Sequence, residues 1–128
     1  MLNFPKSLLE TRVKKDTLHR SGKRLLAEIA GALKLAPDAY SISSNKGGDG
    51  VMGEVTLHGD HLYLNVHVMN GELRVLYRTC DGRSDYCGGM NRYVGVSELA
   101  STTASERFIA KLEQMKGHNI REENHQAA

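Results

Sequence analysis

The residues best suited to chemistry lie in the stretch YRTCDGRSDYCGGMNR, residues 77–92, which holds both cysteines of the 128-residue chain. Cys80 and Cys87 are separated by six residues, and this spacing matches none of the common zinc motifs. His58 and His61 flank a predicted hairpin turn nearby, and we expect His61 to lie across from Cys80. Thiolate and imidazole groups are zinc ligands, so these four residues form one candidate metal site.

The same residues also allow a thiol enzyme or a disulfide. A cysteine nucleophile needs an imidazole beside its thiol, which Cys80 would have, but no known nucleophile motif surrounds it. A disulfide to Cys87 is disfavoured in a reducing cytosol. We therefore expect two ordinary thiols, in a protein that is not an enzyme and needs no cofactor.

A glycine-rich stretch, SNKGGDGVMGE at residues 44–54, is the second candidate. Its glycines and single lysine suggest a phosphate cradle. The pattern of a P-loop is absent, however, and a strand rather than a helix is expected to follow. We interpret this stretch as a flexible hairpin loop.

The third candidate is a surface rich in arginine and tyrosine. These residues dominate binding hot spots, because arginine makes planar hydrogen bonds and tyrosine offers rigid contact area. We expect the surface on the open face of a sheet and on the loop after it, with Tyr93 nearby in the sequence. Its candidate partner-binding residues are Tyr63, His67, Arg74, Arg78, Arg83, Tyr86 and Arg92.

Two helices and a meander of strands are predicted to position these residues. Apolar residues at helical spacing predict a first helix over about residues 17–35, capped by Asp16 or Thr17 and ended before Pro37. A short strand over residues 40–44 follows. A second helix is predicted from Thr102 or Thr103 to Gly117, on the apolar stripe Phe108, Ile109, Leu112 and Met115.

The dipeptides Gly59-Asp60 and Asn70-Gly71 are predicted two-residue turns that join three antiparallel strands. The first turn would pair His58 with His61. The second would place His67 beside Arg74 and Tyr63 beside Arg78. The core face would then contain Val51, Val55, Leu57, Leu62, Leu64, Val66, Val68, Leu73, Val75 and Tyr77.

The predicted fold is therefore α+β, a two-layer sandwich in the order helix, three- or four-stranded antiparallel meander, helix. Both helices would cover one face and leave the other open. Residues 79–95 would form a long irregular loop. We predict a basic N-terminal segment over residues 1–15 that can stay flexible, one domain over residues 16–117, and a disordered tail over residues 118–128.

Charge is concentrated at the start of the chain, where the first 24 residues hold seven basic and two acidic side chains. A basic segment of this kind can contact nucleic acid or an acidic protein, and the alternative is a solvated helix face. The candidate nucleic-acid residues are Lys14, Lys15, Arg20, Lys23 and Arg24. No stretch has the length and apolarity of a signal peptide or a membrane span, so a cytoplasmic protein is expected.

The stretches SNKGG, GEVTLH and YRTCDGRSDYCGG, within residues 43–89, are similar to segments of small accessory proteins of plasmids, integrative elements and phages. This resemblance implies regulation, conjugation support or inhibition of a host defence complex.

We expect a non-enzymatic binding protein that acts on a protein or nucleoprotein partner through the open sheet face and the 80–92 loop. Direct nucleic-acid binding by the basic N-terminal region is the first alternative, and a cysteine–histidine metal or thiol enzyme is the second. An open sheet face also allows a homodimer.

Overall fold

The computed structural model describes residues 2–9, 13–82 and 89–127, with residues 117–127 described by their backbone only. These residues form two α-helices, a five-stranded antiparallel sheet and three short 3-10 helices. The helices are α1 (Lys15–Ala32) and α2 (Thr102–Ala127), and the strands are β1 (Tyr40–Asn45), β2 (Glu54–Gly59), β3 (Leu62–Met69), β4 (Glu72–Thr79) and β5 (Arg92–Gly95). The 3-10 helices are Lys6–Leu9, Pro37–Ala39 and Val96–Ala100. The α+β class and the antiparallel sheet are confirmed, whereas the strand count exceeds the prediction.

The β3–β4 hairpin has the predicted turn and register. Asn70 and Gly71 adopt φ angles of 54° and 79°, the left-handed conformation that a type I′ turn requires at both central positions. Met69 pairs with Glu72, and the register continues from there along both strands, with His67 opposite Arg74. Local turn chemistry is therefore sufficient to set the pairing of the two longest strands.

The β2–β3 hairpin corrects the other predicted register. Leu57 pairs with Leu64 rather than Leu62, so the turn consists of Asp60 and His61. Gly59 belongs to the strand and pairs with Tyr40, and it does not adopt a left-handed φ. A Cβ atom at Gly59 would lie 3.3 Å from the carbonyl oxygen of Leu62, so this glycine permits close strand approach instead of a turn.

The pairing of β2 with β3 is thus shifted by two residues from the prediction. This shift leaves each strand residue on its predicted face, because side chains on a strand alternate with a period of two. Val55, Leu57, Leu64 and Val66 are all completely buried, as a core face requires. The assignment of these strand residues therefore survives the error in register, whereas Val51, also predicted on the core face, precedes β2 and is 52% exposed.

Strand β5 was not predicted. Residues 92–95 lie in the stretch expected to be an irregular loop, but they pair with β4, with Val94 opposite Val75. Four residues are too few to give a clear period-two signal, and the preceding glycines suggested a loop. The connection after β4 is therefore shorter than predicted.

Both helices contact the core face. Gly22 of α1 lies against the sheet so closely that an added Cβ atom would be 3.3 Å from Val55 Cγ2. Phe108 of α2 packs edge-on against Tyr77 of β4, with ring centroids 5.1 Å apart. Val55 and Tyr77 share one face through the pairings of Val66 with Val55 and Val75. The helices consequently lie on the same side of the sheet.

Helix α1 begins and ends at points that differ from the prediction. It begins after Lys14, which makes no side-chain cap, so Asp16 lies inside the first turn. At the other end Lys34 has a φ of 57°, and the Leu35 amide donates to the Ala30 carbonyl at 3.0 Å. With the bond from the Lys34 amide to the Gly31 carbonyl, also 3.0 Å, this is a Schellman motif, which ends the helix before Pro37 is reached.

The chain termini also depart from the prediction. Gly117 does not end α2, which continues to Ala127 through residues 118–127, predicted as a disordered tail. Glycine weakens a helix by about 1 kcal/mol but ends it only when it adopts a left-handed conformation. In the N-terminal segment, Leu2 and Leu8 are buried in the core.

The close contact of α1 with the sheet predicts opposite effects for two identical substitutions. Gly22→Leu should lower the free energy of unfolding by about 1–3 kcal/mol, because the added side chain would displace Val55 and Val66. Gly31→Leu should raise it by up to about 1 kcal/mol, because that site is exposed and no atom lies within 4 Å of its Cβ position. Urea denaturation followed by circular dichroism measures both. Equal effects of the two substitutions would contradict the close approach at Gly22.

Candidate binding face of the sheet

The sheet face opposite the helices carries mainly polar and aromatic side chains, and we call it the polar face. Strand alternation and register arrange it in three cross-strand rows. These rows are Ser41, His58, Tyr63 and Arg78; Ser43, Thr56, Asn65, Leu76 and Tyr93; and Asn45, Glu54, His67 and Arg74.

A hydrogen-bonded chain crosses the middle of the polar face. Asn65 is only 4% exposed, and its side-chain amide donates to Thr56 Oγ1 at 3.1 Å. Its Oδ1 lies 2.9 Å from His67 Nδ1 and can only accept, so His67 carries its hydrogen on Nδ1. The His67 ring stands edge-on to Tyr93, with ring centroids 6.0 Å apart. Side chains from three strands, β2, β3 and β5, are thereby held in fixed positions relative to one another.

Two arginines flank Leu76 on β4, and each has a partner. Arg74 lies 3.6 Å from the carboxylate of Glu72. Arg78 donates from Nη1 to Asn91 Oδ1 at 3.1 Å. The two arginines are four positions apart along the strand, which spaces their Cα atoms by about 13 Å. The polar face therefore presents two positioned cationic groups with an apolar side chain between them.

The third part of the polar face adjoins Cys80. His58 is 7% exposed, and its Nε2 donates to the Gly82 carbonyl at 3.0 Å. The Cys80 amide donates to the His61 carbonyl at 3.1 Å, as the predicted juxtaposition requires. The Cys80 thiol is buried and donates to the Gly59 carbonyl at 3.4 Å. The side chains of His58 and Cys80, both candidate metal ligands, therefore already donate hydrogen bonds to backbone carbonyls.

Only three of the four candidate metal ligands, His58, His61 and Cys80, lie within the described residues. Cys87 lies outside the described residues. Within residues 2–9, 13–82 and 89–127, no group of three or more histidine, cysteine, aspartate or glutamate side chains could hold a metal ion. A metal or thiol chemistry at Cys80 stays an alternative hypothesis.

The protonation of Cys80 bears on the thiol-enzyme alternative. Burial raises the pKa of the Cys80 thiol above its ordinary value, and this effect exceeds the lowering by the Gly82 backbone and by Arg78. A cysteine nucleophile needs the opposite shift, because the thiolate is the reactive form. The described surroundings of Cys80 do not activate it.

The predicted partner-binding residues divide into three groups. Tyr63, His67, Arg74 and Arg78 lie on the polar face. Arg92 does not, because it pairs with Tyr77 and so lies on the helix side of the sheet. The remaining two, Arg83 and Tyr86, lie outside the described residues.

Two exposed residues beside the polar face were missing from the predicted set. Tyr93, opposite Leu76, is 43% exposed, and Met90 is 74% exposed. Recognition of β5 from the Tyr-Val dipeptide would have placed Tyr93 there, whereas no sequence signal indicates Met90. Aromatic and methionine side chains are enriched in protein interfaces, so both extend the candidate site.

The candidate nucleic-acid residues lie elsewhere. Lys14, Arg20, Lys23 and Arg24 are exposed at α1, on the layer away from the polar face. Lys15 is half-buried, and its ammonium group donates to the Gly48 carbonyl at 3.2 Å, which ties the β1–β2 loop to the helix. The two candidate surfaces therefore face in opposite directions.

Comparison of the chain with protein-family models, curated proteins and solved structures finds no match. Among the described residues, no helix is long and apolar enough to cross a membrane.

The raised pKa of Cys80 predicts slow thiol chemistry. In a Cys87→Ser background, Cys80 should react with a disulfide reagent about tenfold more slowly, or slower still, in the folded chain than in guanidinium chloride. The measurement is the rate of thiolate release at pH 8. A folded chain that reacts faster than the unfolded one would instead support the thiol-enzyme alternative.

The same shift has a consequence for stability. The contribution of the protonated thiol to folding is fully present below the pKa of the unfolded chain and is lost as pH rises through the folded pKa. Replacing Cys80 by alanine in the same background should remove this alkaline dependence, which urea denaturation across the alkaline range can measure.

Proposed function

We propose that the protein is a non-enzymatic binding protein that contacts a protein or nucleoprotein partner through the polar face and the adjoining 80–92 connection. The observation that carries this proposal is the exposed side chain of Tyr93 of β5, whose ring contacts His67 in the hydrogen-bonded network of β2 and β3. In this arrangement the helices form one layer, and the sheet, as the other layer, presents its polar face to the partner.

Preorganisation supports binding over catalysis. Asn65 fixes His67, and His67 contacts the ring of Tyr93, so an aromatic anchor is positioned before a partner arrives. Binding through positioned side chains loses less conformational entropy than binding through mobile ones. Arg74 and Met90 add residue types that are common in binding hot spots and interfaces.

The charges of this surface favour a protein component over free nucleic acid. Glu54 lies in the same row as Arg74, and Glu72 makes an ion pair with that arginine. A surface that binds single-stranded nucleic acid combines aromatic side chains with a consistently positive groove. Mixed charges instead fit a protein surface with complementary charges.

The resemblance over residues 43–89 suggests the setting of this interaction. We propose a regulator carried by a mobile element, or an inhibitor that binds a host defence complex. Self-association through the polar face is the competing role, and a sedimentation measurement of the purified chain distinguishes a monomer from a homodimer.

A capture experiment tests the polar face. The wild type and the double variant Arg74→Glu, Tyr93→Ala are immobilised and exposed to host lysate, with and without nuclease. We expect a defined protein or complex to be retained by the wild type and its recovery to fall at least about tenfold with the variant, as loss of a hot spot of about 1.4 kcal/mol or more implies.

Arg107→Glu is the control, because Arg107 is exposed on α2 and the substitution makes the same change of charge. It should retain the partner. Equal retention by the polar-face variant would contradict the proposal, as would capture that disappears with nuclease and leaves no protein bound. Circular dichroism of each variant verifies that the fold is intact.

A further inference from the structure

The solvent side of α1 carries a second concentration of charge. Arg20, Lys23 and Arg24 are exposed and lie three and four residues apart, so they share one helix face. Lys14 is exposed just before the helix begins. We call these four residues the basic surface, and their charges lie within about 15 Å along the helix axis.

Interactions that stabilise the fold do not explain why these cations lie on α1. Among the described residues, Arg20, Lys23 and Arg24 make no ion pair or side-chain hydrogen bond. Lys116 offers a contrast, because it bonds the Leu33 carbonyl at 3.3 Å and so adds a cation at the end of α1 where the helix dipole favours one. Lys14 lies at the opposite end, where the dipole disfavours a positive charge.

The other exposed residues of α1 have short side chains or none. Beyond the cations, the exposed residues of α1 are Asp16, Ala27, Gly31 and Ala32. No large hydrophobic side chain is exposed on α1, so the surface lacks the aromatic or apolar anchor typical of a protein interface. It also exposes no asparagine or glutamine, the side chains that recognise adenine, so its arginines and lysines are its only groups for contacting nucleic acid. Cations without such anchors fit a polyanion bound by its charge.

We propose that the basic surface binds the phosphate backbone of nucleic acid without reading its sequence. This second surface goes beyond the proposed function and does not rest on it. Because α1 covers the core face and the polar face is on the other side of the sheet, both surfaces can be occupied together. A single molecule can then contact the protein and the nucleic acid of one nucleoprotein complex.

Fluorescence anisotropy with a labelled 30-base-pair DNA duplex tests the proposal over a range of potassium chloride concentrations. Four phosphate contacts predict that log K falls with log salt with a slope of about −3.6, since each contact contributes about −0.9. The double variant Lys23→Glu, Arg24→Glu should bind at least about tenfold more weakly at low salt. The magnitude of its slope should be smaller by about 1.8, because two phosphate contacts are lost.

The matched control is Arg107→Glu, Lys111→Glu, which makes the same charge change at two exposed positions of α2. It should retain most of the affinity and the wild-type slope. The Arg74→Glu, Tyr93→Ala variant should also bind the duplex, so that failure of the polar face and failure of the basic surface give different results.

The proposal is overturned if the wild type does not bind the duplex at low salt, or if the α1 variant and the α2 control lose affinity equally. Phosphatidylserine vesicles provide the second arm. Binding to vesicles but not to the duplex, lost in the α1 variant, would assign the basic surface to a membrane and overturn the nucleic-acid proposal.

Discussion

The register of the β3–β4 hairpin is the constraint on which the rest of the structure depends. Asn70 and Gly71 both adopt left-handed backbone conformations, and this turn pairs eight residues of β3 with eight of β4. Because side chains alternate along a strand, a slip of one residue would exchange the two faces. If β4 slipped in this way, Val75 would meet water while Val66 stayed on the core face, and Leu76 would lie under the helices. A turn of two residues thus determines which surface the helices cover and which surface is left for binding.

The two faces meet different physical requirements. On the core face, α1 can approach closely only because Gly22 has no side chain between the helix and Val55. On the polar face, Asn65 is almost as inaccessible as a core residue, and it is tolerated because both ends of its amide have partners in Thr56 and His67. Burial without hydrogen bonds would cost about 1–3 kcal/mol, so the network stabilises the sheet while it positions Tyr93.

The sequence predicts features that a few adjacent residues determine, and it fails where distant contacts decide. Asn70-Gly71 permits one turn, so that hairpin, and with it the pairing of His67 with Arg74, could be predicted. Gly59-Asp60 resembles a turn equally well, but Gly59 belongs to β2, where it pairs with Tyr40 of β1 and lies close to the Leu62 carbonyl of β3. Strand β5 is held by β4 rather than by its own four residues, which is why Arg92 was predicted in a loop and Tyr93 was left out of the predicted partner-binding set.

The polar face and the basic surface differ in their electrostatics. Both described arginines of the polar face have partners within the chain, Arg74 with Glu72 and Arg78 with Asn91, so this surface favours a partner that matches its shape. Within the described residues the cations of the basic surface make no ion pair, although Asp16 and Glu28 lie on the same helix, and Lys14 opposes the helix dipole. Their mutual repulsion is relieved only when an anion approaches, and counterion release then favours a polyanion over a single charge. One layer of the fold is therefore suited to shape recognition, and the other is suited to attraction by charge.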